Sequence, residues 1–555
     1  MAQTLAQKLA ITESQWQDCL LEHEKTGLSL VRIIVLRGIV SEEELLQTLS
    51  QQFNIPLIRL KPEDIDSELA KKIPAKLVTH YNFMPLRMKD KLLQVAINDP
   101  MEILALDEIK LFLKQDLELF LANQKDILES IKNFYGLGAE TLEAMSGQSI
   151  PDLAMVSGKQ DIKDEAIDPS VIKFLNQVFS DAIKQRATDI HFEPFEDQLR
   201  VRYRIDGILY EVALPPSIKN FQSSIASRIK VMANLDIAEK RRPQDGRVEI
   251  KMDEEVFDLR VSIMPTPFGE SIGIRLLPRS SPVIGLAGIG LPADGLKILE
   301  ETIAKPYGII LVTGPTGSGK TTTLYSCLNK INSAERKILT IEDPIEYQLK
   351  GITQMQVEPK IDFTFANALR SMLRHDPDVM MVGEIRDTET AELAVRTSLT
   401  GHLVFSTLHT NDAAGGVTRL LDMGIDSFLV SSSVILIIAQ RLVRMICPKC
   451  KEKIPANPEL LKQFGADKIS TAAVFHGKGC ESCRFTGYQG RSGIFEMMVI
   501  TDEIRDLILK KVPSHQIKQK AVSQGMKVLR ESGWDKIKLG QTTIEEVLRV
   551  TQEEI

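Results

Sequence analysis

Hydrophobic positions recur along this chain with two periods, and the switch between them outlines its elements. In SEEELLQTLSQQF, Leu45, Leu49 and Phe53 fall at intervals of four, the single stripe of an amphipathic helix, and Ser41 with Glu44 reads as its capping box. In VIKFLNQVFSDAIKQRA, Val171, Leu175, Val178 and Ala182 are spaced four, three and four, which predicts a second helix with one buried face. LRVRYRIDG alternates instead: Leu199, Val201, Tyr203 and Ile205 form one face, and Arg200, Arg202, Arg204 and Asp206 the other. A β-strand there buries the first set and presents three guanidinium groups on the opposite side. From about 296 the runs GIILVTG, KILTIED, DVMMVGE and HLVFSTL are strand-sized, and each ends in or runs directly into polar or glycine residues. Separated by helix-compatible segments, they predict an α/β domain with a largely parallel sheet, whose ligands lie at the carboxyl ends of the strands.

These patterns predict a multidomain α/β chain. Residues 1–140 form an N-terminal module, and 141–168, rich in Ser, Gly, Asp and Pro without sustained period, a flexible linker. Residues 169–280 read as an α+β middle domain carrying arginines, 281–295 as a Gly/Pro-rich join, and 296–440 as the parallel-sheet core. A cysteine-bearing insertion occupies 441–490, and 491–555 is read as a helical C-terminal part.

The length of 555 residues agrees with several domains, since one domain typically takes roughly 100–200 residues. A composition of 43% apolar and 26% charged residues excludes collagen-like, disulfide-scaffold and globally disordered classes. With 68 basic against 75 acidic residues the formal charge is −7, which argues against a protein that wraps nucleic acid. The longest apolar stretch, Val434 to Ala439, is far short of the ~20 residues that span a bilayer. The N-terminus lacks a basic region followed by an apolar one, so a cytoplasmic protein is expected. Of six cysteines, Cys19 and Cys327 sit in helical patterns as core fillers.

Four segments carry nucleotide chemistry, and a pair of cysteine motifs carries metal chemistry. GPTGSGKT, comprising Gly314, Pro315, Thr316, Gly317, Ser318, Gly319, Lys320 and Thr321, fits GxxxxGK[ST] between an apolar strand and a helix that Thr322 continues. Its amides converge on phosphate oxygens, Lys320 reaches the β and γ phosphates of ATP, and Thr321 ligates Mg²⁺. DVMMVGEIRD has the strand and acidic end of a Walker B segment, but Gly383 stands where an aspartate is usual, followed by Glu384. A carboxylate there orients or deprotonates the attacking water. IEDPIEY clusters Glu342, Asp343 and Glu346, which call for a nearby cation. GHLVFSTLHTND sets His402, Thr407 and His409 around a buried strand, with His409 at its carboxyl end as a γ-phosphate sensor. CPKC (Cys447, Cys450) and CESC (Cys480, Cys483), 29 residues apart, supply four thiolates for a closed tetrahedral Zn²⁺ site. Arg441, Arg444, Lys449 and Lys451 around the first pair contain no acid between them and suggest a basic face for an anionic lipid or acidic partner.

The four motifs in this order resemble the secretion ATPase superfamily, which powers type II secretion and type IV pilus assembly. The segments ATDIHFEPFEDQLRVRYRIDG and KRRPQDGR are similar to that family's PAS-like middle domain, and the core to its RecA-like ATPase domain. The resemblance implies a homo-hexamer in which a middle-domain arginine, here Arg202, Arg204, Arg242 or Arg247, reaches the nucleotide. It further implies a cytoplasmic motor, peripheral at the inner membrane, that works on a platform protein there and extends a pilus or pseudopilus. GLSLVRIIVLRGIVSEEELLQTLSQQF resembles a domain that binds cyclic di-GMP in some members. Lys25 and Thr26 replace that pattern's arginine and leucine, and lysine lacks the planar fork that holds guanine, so docking is the expected role of the module. Two other readings stand beside this one: a hexameric nucleic-acid translocase, which the charge balance and the lack of basic–aromatic interleaving disfavour, and a non-catalytic nucleotide-gated regulator, which Lys320, Thr321 and Glu384 disfavour. No nucleic-acid partner is expected.

Overall fold

Local chemistry sets the first elements. In the computed structural model, Ser41 Oγ accepts from the Glu44 amide to start the helix Glu42–Phe53, and Asn54 ends it in the left-handed region. Leu45 and Leu49 are buried, each contributing about 1.5–3 kcal/mol relative to exposure. The structure describes residues 8–9, 11–26, 29–70, 72–139, 141, 169–252, 255–279, 284–464 and 473–551. Gly27, nearly all of the expected linker, residue 280 at the end of the expected middle domain and residues 281–283 of the expected join lie outside them.

The chain divides into two units, Met1–Leu276 and Leu277–Ile555. The first contains two hydrophobic cores. One gathers the N-terminal helices on a three-stranded sheet of β1 (Met84–Lys89), β2 (Leu92–Ile97) and β3 (Asp116–Leu121), antiparallel then parallel. The other packs helix Pro169–Lys184 on a six-stranded sheet, with Val171, Leu175, Val178 and Ala182 all buried as their spacing predicts. That sheet comprises β4 (Ala187–Pro194), β5 (Leu199–Ile205), β6 (Ile208–Glu211), β7 (Gln244–Met252), β8 (Glu255–Thr266) and β9 (Gly269–Pro278) in the order β6-β5-β4-β9-β8-β7.

The alternation of β5 is realised: Leu199, Val201, Tyr203 and Ile205 are buried. Its arginine face differs from the sequence expectation, because the neighbouring β4 alternates too and sets Asp189, His191 and Glu193 opposite Arg204, Arg202 and Arg200. Glu193 accepts from Arg202 Nε (2.8 Å) and Nη2 (2.6 Å) and from Arg200 Nε (3.2 Å), and Asp189 faces Arg204 (3.8 Å) and Arg275 (3.1 Å). The guanidinium groups form a cross-strand ion-pair ladder rather than a bare cationic face.

The second unit is built on a seven-stranded sheet. In chain order its strands are β10 (Gly308–Thr313), β11 (Ile338–Glu342), β12 (Thr353–Gln356), β13 (Val379–Val382), β14 (Leu403–Leu408) and β15 (Val434–Ile446). β16 (Lys451–Pro455) and β17 (Ala473–Gly477) form a separate hairpin, and β18 (Tyr488–Val499) completes the large sheet in the order β12-β11-β13-β14-β10-β15-β18. All pairs in the large sheet are parallel except β15 with β18. Both faces are covered, which is why the core strands read as uninterrupted apolar runs. β15 runs past Ala439, where the apolar run stops, because antiparallel pairing with β18 continues to Ile446, so residue 441 lies within a sheet strand. The expected join also contributes to the core: Leu286 and Ile289 are buried in it.

Candidate active site

β10 delivers the chain into the glycine-rich loop, and helix Lys320–Ile331 begins directly after Gly319, whose φ of 88° suits a residue without a Cβ. Lys320 Nζ lies back on the loop, donating to the carbonyls of Gly314 (2.8 Å) and Pro315 (3.1 Å). Burial holds its pKa below the ordinary amine value; the nearby Glu384 carboxylate pulls it up and the Arg441 guanidinium pulls it further down. Ser318 is buried, and Thr321 and Thr322 are half-buried on the first helical turn.

Glu384 follows β13 at the same sheet edge, with 13% of its side chain exposed. Its Oε1 pairs with Arg386 at 2.5 Å and its Oε2 faces His409 Nε2 at 3.2 Å. His409 follows β14 and is 48% exposed, whereas His402 at the strand's other end bonds the Thr397 carbonyl and belongs to a turn. Thr407 Oγ1 donates to the Gly383 carbonyl at 2.8 Å, tying the two strand ends together. Gly383 has a steric reason to lack a side chain: a Cβ would meet Glu342 Cα and the Ile341 carbonyl at 3.3 Å.

The acidic segment separates into two environments. Glu342 is 3% exposed and accepts from Tyr325 Oη, from Thr340 Oγ1 (2.6 Å) and from Gln354 Nε2 (3.1 Å). Burial raises its pKa against these donors. Asp343 is exposed and Glu346 half-buried, and the Asp343 charge acts on Arg386. Carboxylates such as Asp343 and Glu346 are hard oxygen donors of the kind Mg²⁺ takes. Sequence reasoning did not single out Tyr325 or Arg386, and it read Arg441 only as part of a basic face. Arg386 was legible as the basic residue inside GEIRD, and Arg441 as a charge ending an apolar strand.

The four cysteines converge at the base of the insertion. Their Sγ atoms all lie within 4.8 Å of one another, with Cys447–Cys480 at 3.8 Å and Cys450–Cys483 and Cys480–Cys483 at 3.7 Å. None is in a disulfide. A tetrahedron of sulfurs about 2.3 Å from zinc has edges of about 3.8 Å, so the donor set fits that ion. Cys480 N donates to Cys483 Sγ at 3.2 Å, and Gly477 and Gly487 cross so closely that a Cβ on the first would lie 2.0 Å from the Gly487 carbonyl oxygen. The basic stretch beside them is largely consumed: Arg441 is buried, Arg444 pairs with Glu546 and stacks on Tyr488 at 4.1 Å, and Lys451 lies over Phe475 at 4.3 Å. The free basic face expected around 441–451 is not formed, because β15 and β18 fold its arginines inward.

Arg202 and Arg204 are engaged in the ladder of the middle sheet, while Arg242, between helix Gln222–Met232 and β7, and Arg247, on β7, are exposed. Among the described residues, no helix is long and apolar enough to cross a membrane.

Known proteins are similar to this chain. The family described as Type II/IV secretion system protein matches residues 164–549, and the MshEN domain matches residues 53–141. The Type IV pilus assembly ATPase PilB of Myxococcus xanthus is 42% identical over 556 residues, covering 99% of this chain and 98% of that protein. The Type II secretion system protein E of Xanthomonas campestris is 40% identical over 535 residues, covering 95% and 94%. The crystal structure of the Legionella pneumophila ATPase DotB matches 68% of this chain and 95% of its own with a TM-score of 0.50 at 23% identity, a likeness of fold.

Proposed function

The chain belongs to the Type II/IV secretion system protein family, and from that premise we propose that it is the motor ATPase that drives assembly of a type IV pilus or a type II secretion pseudopilus. The observation that carries the reading is the convergence, at one sheet edge, of Lys320 on the phosphate loop with Glu384 and His409. In this reading the phosphate loop, Gly314 to Thr321, cradles the ATP phosphates, and Lys320 exchanges its two carbonyl partners for phosphate oxygens. Thr321, with Asp343 and Glu346, would hold Mg²⁺, which would neutralise charge on the transferring phosphoryl group. Glu384 orients and deprotonates the attacking water, and His409 reports the γ-phosphate through the Glu384 carboxylate. Glu342, already saturated with donors, positions the strand end from behind.

The motor works as a homo-hexamer in which a neighbour's middle domain supplies an arginine. Arg242 and Arg247 are the candidates whose exposure supports that role, since Arg202 and Arg204 would have to leave Glu193 and Asp189. Zinc on Cys447, Cys450, Cys480 and Cys483 cross-links the insertion. The N-terminal module docks the motor, as a peripheral protein, to an inner-membrane platform protein; Lys25 in place of arginine argues against cyclic di-GMP as its ligand. The test is Mg²⁺-dependent ATP turnover by the purified chain. Lys320→Ala abolishes both nucleotide binding and turnover, whereas Glu384→Gln abolishes turnover and retains ATP. Turnover surviving in both variants overturns the site assignment, and strong stimulation by single-stranded DNA overturns the secretion reading in favour of a translocase.

A further inference from the structure

The loop that carries His409 is fixed at each of the next four residues, and one of its anchors is a buried charge. Thr410 is held by Thr313 at the end of β10: its amide donates to Thr313 Oγ1 at 2.8 Å, and the two hydroxyls lie 2.8 Å apart. Asp412 caps the following helix by accepting from the Gly415 amide at 2.8 Å, and Ala413 N donates to Glu496 Oε1 at 2.8 Å. Asn411 is held by Arg441 of β15, whose Nη2 donates to the Asn411 carbonyl at 2.9 Å.

Arg441 is 9% exposed and makes no salt bridge among the described residues. A guanidinium taken out of water without a direct carboxylate is costly, and its surroundings explain what it does there. Nη1 donates to the Gln440 carbonyl at 3.0 Å, and the charges of Glu496 and Asp412 balance it from a distance. The same guanidinium lies against the phosphate loop: a Cβ on Gly314 would stand 3.0 Å from Nη1 and 2.6 Å from the Gln440 carbonyl oxygen. Gln440 in turn accepts from Thr323 Oγ1 at 2.7 Å, on the helix that the loop opens. Two rigid connections therefore meet at Gln440–Arg441, one to the phosphate cradle and one to the His409 loop.

We propose that Arg441 is a positioning residue of the ATPase site, a strut that holds the His409 loop at fixed distance from the phosphate loop so that His409 reaches Glu384. The inference rests on the role given above to His409. Arginine suits the slot because its rigid planar fork fixes the directions of Nη1 and Nη2 towards the two carbonyls, whereas lysine carries its donors on one flexible point charge. As a strut Arg441 acts on turnover through His409, so its effect vanishes when His409 is absent.

The test is a double-mutant cycle on the full chain with Arg441→Gln and His409→Ala, followed by steady-state ATP turnover and ADP binding. Arg441→Gln is expected to lower kcat about tenfold with KM and ADP affinity changed by less than about twofold, and Arg441→Lys to fall between it and the unmodified chain. In the His409→Ala background the same substitution changes kcat by less than about twofold. Losses that multiply in the double variant, or a loss of ADP affinity matching the loss of turnover, overturn the strut and make Arg441 a support of the phosphate loop alone. If His409→Ala by itself leaves kcat unchanged, it is the role of His409 that fails. Where Arg441→Gln does not fold, the cycle is run with Arg441→Lys, and the same two outcomes decide.

Discussion

Glu546, on helix Ile544–Val550, is 2% exposed yet held as a carboxylate between two guanidinium groups. Arg444 Nη2 donates to Oε1 at 2.5 Å and its amide to Oε2 at 3.2 Å, while Arg549 donates through Nε at 3.0 Å and Nη2 at 2.8 Å. Burial alone would raise the pKa of this carboxyl, but Arg549 and Arg444 overcome it and hold it at about 2, against an ordinary 4.5. That difference corresponds to about 3 kcal/mol of folding stability for this unit. Because the folded-state pKa is the lower one, the contribution is complete above the unfolded value near 4.5 and is lost as the pH falls towards about 2. Glu546→Gln, a neutral isostere of the protonated acid, should cost about 3 kcal/mol at neutral pH, and the gap to the unmodified chain should narrow by about 2 kcal/mol on reaching about pH 3. The assay is urea unfolding at a series of pH values, followed by Trp534 fluorescence in a Trp16→Phe background, since these are the chain's two tryptophans and Trp534 packs on Phe464 in the same unit. A stability gap that stays constant between neutral pH and pH 3, or no gap at neutral pH, refutes the reasoning.

Three further outcomes are expected. Metal analysis of the purified chain should find about one zinc per chain, falling well below that in Cys480→Ser, as a four-thiolate site requires. Gly383→Asp, which supplies the carboxylate that a Walker B strand usually carries, should destabilise the chain by about 1–3 kcal/mol in urea unfolding and raise no turnover, because its Cβ meets the β11 backbone. Cys327, 1% exposed with its thiol pushed up to about 12 by burial, should resist a thiol reagent at about pH 8 in the native chain and react fully after denaturation; native labelling would show that its helix opens.

Much of this protein was legible from residue order because its signals are local. A phosphate loop between a strand and a helix is defined by eight consecutive residues, and paired CxxC segments need only be brought together for their sulfurs to match a tetrahedron. The 3.6 and 2.0 periods located helix Pro169–Lys184 and β5, since each buries one face against a single layer. What the sequence could not decide was which polar groups pair across strands distant in order. The β5 arginines read as a cationic face because their partners, Asp189 and Glu193, come from the strand before, and register alone places them opposite. Likewise Arg441 and Arg444 read as surface charge until β15 and β18 paired and turned them towards Asn411 and Glu546. Composition and motif therefore determined the fold class and the phosphate chemistry. Tertiary structure decided which charges remain free to act, because a charge that finds a buried partner across the sheet is held by it and is no longer available to a ligand.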